Sequence, residues 1–158
     1  MRAVRFLFLS NFGYLGKPET LRVGGNNTAQ IIIDNINATH DFLFQVYFLN
    51  CDFRDVFKKI SVKDQERDDY LVYADPPYLG TDNNYASGFT EKDSFDLFET
   101  LDNSKLKYAM SEFDHPFILA QAKKRGLNVI TIGERANLKN RRIEILVCNY
   151  DVQKTLFD

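Results

Sequence analysis

Residues 70–78 read Tyr70-Leu71-Val72-Tyr73-Ala74-Asp75-Pro76-Pro77-Tyr78. The first five, aromatic and β-branched for the most part, predict a buried strand. The two prolines then forbid its continuation, because they fix φ and carry no N–H for a ladder. Open α/β sheets bind their ligands beyond the carboxyl ends of strands. An acid and an aromatic flanking a stiff Pro-Pro pair at such an end are therefore candidate site residues. A rigid strand-to-loop turn with a core tyrosine is the plainer reading of the same four residues.

Outward from this point, strand-like and helix-like runs alternate. Upstream, Phe42 to Cys51 (FLFQVYFLNC) has strand composition, Phe53 to Ile60 (FRDVFKKI) is a short amphipathic helix, and Lys63 to Asp69 is a charged loop. Thr28 reads as the cap of a helix to about Thr39. Residues 10–27, with Gly13, Gly16, Pro18, Gly24 and Gly25, read as a loop or small hairpin. Arg2 to Leu9 resembles the last turns of a helix with nothing before it to act as a cap, so the chain is expected to begin inside an element. Downstream, Thr90 to Leu101 predicts a helix and Leu106 to Ser111 a strand. Asp114 reads as the cap of a helix that Gly126 ends, and Leu127 to Ile132 and Ile143 to Tyr150 read as two further strands. The alternation predicts an α/β layered fold with a mostly parallel sheet and an antiparallel pair at one edge.

At 158 residues, 44% hydrophobic and 27% charged, the chain suits one folded domain and not a disordered or collagen-like protein. Its 20 basic and 22 acidic residues exclude a uniformly basic nucleic-acid coat but say little about a single cleft. Cys51 and Cys148 each end an apolar run, as buried reduced thiols do, and no disulfide framework is expected. Arg5 cuts the N-terminal apolar patch to Phe6-Leu7-Phe8-Leu9, shorter than the roughly 7–15 residues of a signal core. With no run of membrane-spanning length elsewhere, a cytoplasmic protein is expected. His40 and His115 lack Cys or His partners at ligand spacing, so no metal site is expected.

The chemistry suited to Asp75-Pro76-Pro77-Tyr78 is activation of a flat, weakly nucleophilic amine. The exocyclic amine of adenine has its lone pair delocalised into the ring. Hydrogen bonds accepted by the Asp75 carboxylate and the Pro76 carbonyl would localise that pair and orient it, with Pro77 keeping the backbone stiff. Tyr78 would stack on the base once it is flipped from its duplex. Catalysis would then consist of positioning and electrostatic orientation.

These residues, in order with their flanks, resemble the Dam-type (D12 class) DNA adenine-N6 methyltransferases, which use S-adenosylmethionine. Arg2 to Gly16 is similar to the segment leading into the family's DNA-recognition hairpin. Asn50-Cys51-Asp52-Phe53 is similar to the wall of its cofactor pocket, and Asp75 to Tyr78 matches its catalytic motif. Tyr85 and Phe89 fall in the loop after that motif. Ala109-Met110-Ser111 resembles the next strand, and Asn140 to Tyr150 a closing hairpin strand. The resemblance implies a Rossmann-like methyltransferase sheet, incomplete at the N-terminus, in a single partial domain over residues 1–158 with a reduced recognition hairpin at 10–27. It assigns Asp75, Pro76, Pro77 and Tyr78 to catalysis, Asp52 and Phe53 to S-adenosylmethionine, and DNA as substrate.

The chain departs from the family in lacking the glycine-rich Phe-x-Gly-x-Gly cofactor loop, an acidic partner for the cofactor ribose, and the Phe-Asn-Val-Pro run of the hairpin. Weak cofactor binding by this chain alone is therefore expected, and a second polypeptide is one source of the missing half. The alternatives are a non-catalytic DNA-binding remnant or subunit, and methylation of an RNA base or a glutamine amide. Arg135, Lys139, Asn140, Arg141 and Arg142 would grip phosphates, or else form a solvated hairpin tip. Tyr14 would wedge between bases, or pack back on its own domain. Lys123, Lys124 and Arg125 suit the negative end of a helix dipole and need no function.

Overall fold

The computed structural model describes residues 28–80, 88–136 and 141–151. The expected helix at Arg2 to Leu9, the hairpin at 10–27 with Tyr14, the loop residue Tyr85, and Lys139 and Asn140 lie outside the described residues, as do the side chains of Arg135 and Arg141. The chain divides into two compact units, residues 1–49 and 50–158.

In the first unit, α1 spans Thr28–Phe42 and runs into a 3-10 turn at Leu43–Gln45. The strand expected from Phe42 to Cys51 does not form. Phe42 ends the helix, and Val46 to Asn50 is irregular, with no ladder partner among the described residues. Phe44, Tyr47 and Phe48 are 83%, 94% and 76% exposed. Aromatic composition expresses a fit to a half-buried pleated surface, and without a neighbouring strand it does not make one.

The second unit opens with a 3-10 turn at Phe53–Asp55, the one-turn helix α2 (Val56–Lys59) and a 3-10 segment at Asp64–Asp69. Then come β1 (Leu71–Ala74), α3 (Glu91–Ser104), β2 (Lys107–Phe113), α4 (Pro116–Arg125), β3 (Asn128–Ala136) and β4 (Arg141–Cys148). The sheet order is β1-β2-β4-β3. β1 pairs parallel with β2, Ala74 beside Met110, across the α3 connection. β4 pairs antiparallel with both β2 and β3. The sheet is thus mixed rather than mostly parallel in its pairing. β1, β2 and β3 share a direction, but β4 returns between β2 and β3, so only one of the three ladders is parallel. A register shift between Thr131 and Gly133 bends β3.

Local chemistry explains the helix ends. Thr90 and Asp93 form a reciprocal capping box at the start of α3. α4 begins one residue later than expected. His115, not Asp114, is the cap, its Nδ1 accepting from the Phe117 N–H, because Pro116 fits the first helical position, where no N–H is needed. Gly126, at φ 67°, ends α4 as expected.

One face of the sheet carries the core. Tyr108, Met110, Ile145 and Val147 pack against Leu97, Phe98 and Leu101 of α3 and Ile118 and Ala122 of α4. The Tyr108 hydroxyl reaches Asp102 Oδ1 at 2.8 Å, so this buried ring keeps its polar end satisfied. β1 is half-buried rather than buried. Val72 and Ala74 face the core, while Leu71 and Tyr73 are 59% and 61% exposed. Cys148 is buried, Cys51 partly so, and both are free thiols. Among the described residues no helix is long and apolar enough to cross a membrane.

Candidate functional site

Parallel pairing of β1 with β2 brings Asp75 and the turn after it to the carboxyl ends of two adjacent strands. Asp75 is exposed, and Pro76, Pro77 and Tyr78 are half-buried. A carboxylate in contact with water beside two residues that donate no N–H leaves this end of the sheet rich in acceptors.

Tyr78 does not project freely. Its hydroxyl donates to Glu144 Oε1 on β4 at 3.0 Å, and its ring meets Phe113 edge-on, centroids 4.8 Å apart. Burial, aided by the Glu144 bond, pushes the phenol well above its ordinary pKa, so it is a neutral donor. Tyr73 on β1 shares a 2.6 Å hydrogen bond with Ser111 on β2.

The next two residues are gripped from both sides. The Leu79 N–H donates to Glu112 Oε1 at 2.8 Å, and Glu112 Oε2 accepts from the Phe113 N–H at 2.8 Å. Arg142 donates to the carbonyls of Leu79 at 3.2 Å and Gly80 at 2.5 Å, its guanidinium 5.4 Å from the Phe113 ring centre. Gly80 adopts φ 69°, and a Cβ there would lie 3.6 Å from Arg142 Nη1. Arg142 therefore serves the turn, where phosphate contact was one expectation. Burial raises the Glu112 carboxyl from 4.5 to about 7, with the two N–H donors and Arg142 opposing the rise.

Asp52 and Phe53 occupy a turn rather than the end of a strand. The Asp52 carboxylate accepts from the Arg54 N–H at 2.9 Å and lies 3.3 Å from the Arg54 guanidinium. That guanidinium lies 4.3 Å from the centre of the Phe53 ring and bridges to Asp93 and Asp96 of α3 at 2.6 and 2.8 Å. Hydrogen bonds from Thr90, then Arg54, hold the Asp93 carboxyl down to about 2. Phe53 packs beside Phe89 and the core. Asp52 thus caps the 3-10 turn and Phe53 packs on the core.

A family model for D12 class N6 adenine-specific DNA methyltransferases matches residues 5–146, a span that includes β1, the turn and most of β4. The chain belongs to that family. The Retron Ec67 DNA adenine methylase of Escherichia coli is 31% identical over an alignment of 130 residues that covers 77% of this chain and 41% of that protein. The chain thus spans less than half the length of this curated relative.

Methyltransferases of this kind use S-adenosylmethionine, but the described residues do not fit it. Arg54 occupies the Asp52 carboxylate and lies against the Phe53 ring. Gly80, the described glycine nearest the motif, has Arg142 and His115 on its open side. Close backbone approach to a cofactor needs glycines with free space. No group of three or more His, Cys, Asp or Glu among the described residues could hold a metal ion.

Sequence reasoning located the motif and missed Glu112, Glu144 and Arg54. Glu112 carried a signal: a charged residue that strand alternation places on the same face as the core residues Tyr108 and Met110. Glu144 and Arg54 show only through their partners.

Proposed function

We propose that this chain carries the acceptor-base half of a DNA adenine-N6 methyltransferase of Rossmann-like architecture, with S-adenosylmethionine as methyl donor. The observation that carries the reading is Asp75-Pro76 at the carboxyl end of β1, an exposed carboxylate followed by two residues whose φ angles are fixed. Asp75 and the Pro76 carbonyl accept from the two N–H groups of the flipped base and turn its lone pair out of the ring plane. Tyr78, held by Glu144 and Phe113, offers an aromatic wall whose position is set before the base arrives. Tyr14, Arg135, Lys139, Asn140 and Arg141 are assigned to DNA contact.

The test is transfer of labelled methyl from S-adenosylmethionine to unmethylated DNA, RNA and protein, with Asp75→Ala as control and its fold checked by circular dichroism. At saturating S-adenosylmethionine, which offsets weak binding by this chain alone, a low level of label in DNA at adenine N6, lost at least about a hundredfold in Asp75→Ala, is the expected result. Label in RNA or protein alone refutes the substrate, label retained in Asp75→Ala refutes the catalytic assignment, and no label anywhere refutes activity in this chain.

A further inference from the structure

Glu112 has no solvent exposure, and on β2 it shares a face with the core residues Tyr108 and Met110. A carboxylate in a core costs free energy, and apolar residues of similar volume often serve stability as well or better. Packing alone therefore does not call for this one. Both of its oxygens go to backbone donors, the Leu79 and Phe113 N–H groups at 2.8 Å. From β4, Arg142 takes the Leu79 and Gly80 carbonyls at 3.2 and 2.5 Å. One residue, Leu79, is thus held at its N–H by an acid and at its C=O by a base, on two different strands. Leu79 is itself buried, with 3% exposure. Between it and Asp75 stand Pro76 and Pro77, whose φ angles are ring-locked, and Tyr78, which Glu144 and Phe113 hold, so a shift at Leu79 has few torsions in which to be absorbed before it reaches Asp75.

We propose that Glu112 and Arg142 are positioning residues that lock the Leu79–Gly80 turn and through it aim the Asp75 carboxylate and the Pro76 carbonyl at the acceptor amine. The proposal rests on the acceptor-base reading above. Neither side chain touches the base. They act through the backbone, where a misplacement of about 1 Å can cost on the order of a hundredfold in rate.

The test uses the whole chain with Glu112→Ala, Glu112→Gln and Arg142→Lys, read by residue-resolved amide hydrogen exchange and by methylation kinetics. In Glu112→Ala the protection of the Leu79 N–H falls about tenfold or more relative to that of Leu119 in α4. Glu112→Gln keeps one acceptor and loses less, and Arg142→Lys, which keeps the charge but not the two-pronged grip, also loosens Leu79. In the same variants kcat falls about tenfold or more while KM for DNA stays within about twofold, because aim and not binding is lost. Leu79 protection unchanged in all three variants overturns the grip. Protection lost with kcat untouched overturns its role in catalysis. Full methylation by Asp75→Ala would instead remove the acceptor-base reading, and the exchange result would still report on the grip by itself.

Discussion

Raising the pH through neutrality should destabilise the folded chain through one carboxyl, that of Glu112. Its side chain is fully buried, and burial raises its pKa from 4.5 to about 7. The folded state therefore holds this proton more tightly than the unfolded chain does. Stability from this group is complete below about pH 4.5 and is lost as pH rises to about 7 and beyond. The two values differ by about 2.5, and each tenfold change in proton affinity is worth about 1.4 kcal/mol, so the full loss is about 3 to 4 kcal/mol. Between about pH 5 and pH 8 most of that loss, on the order of 2 to 3 kcal/mol, should be observed. Among the described residues the other shifted groups act outside this window. Asp93, held down to about 2, is already ionised, and burial holds the Tyr78 and Tyr108 phenols neutral. The assay is urea unfolding across that range, with wild type beside Glu112→Gln, in which nothing titrates at this site. Wild type should lose stability with rising pH and the variant should show a flatter profile. A flat wild-type profile, or the same slope in both proteins, would refute the idea that burial outweighs the two N–H donors.

Three further predictions concern the framework around the site. Phe98 is fully buried between α3 and the sheet, so Phe98→Ala should cost about 3–5 kcal/mol in denaturant unfolding. Gly80→Ala and Gly126→Ala both force a side chain into left-handed backbone, at φ 69° and 67°, and a Cβ meets only ordinary contacts at the first and nothing within 4 Å at the second. Each should therefore lose about 1 kcal/mol by strain alone, and a much larger loss at Gly80 would show that the Arg142 contact there is tighter than these distances say. Lys105 closes α3 at φ 57°, so Lys105→Gly should stabilise the protein by about 0.5–1 kcal/mol, visible as a higher Tm in calorimetry.

The elements nearest the motif were the most legible, because their signals are local. Proline stops a ladder wherever it falls, and Gly126 tolerates left-handed backbone where most residues do not. The run Phe42 to Cys51 misled because strand propensity depends on a partner that local sequence cannot supply. The offset at α4 has a similar cause: Asp114 is the better cap by type, but Pro116 at the first helical position moves the boundary to His115. Arg142 looked like one of several cations at a hairpin tip. Its partners are the carbonyls of Leu79 and Gly80, more than 60 residues earlier, and backbone carbonyls leave no compositional trace.

By itself the sequence determined the alternation of strands and helices, the place where β1 ends, and the four residues there whose chemistry suits a flat amine, since each follows from side-chain type or short spacing. Tertiary structure alone decided that β4 enters antiparallel between β2 and β3, that Tyr78 leans on Phe113 and Glu144, and that Arg54 occupies Asp52 and Phe53. It also decided that Glu112 and Arg142 close on Leu79 from two strands. These are contacts between residues far apart in the chain, fixed by which surfaces must leave water together, and spacing along one segment carries no record of them.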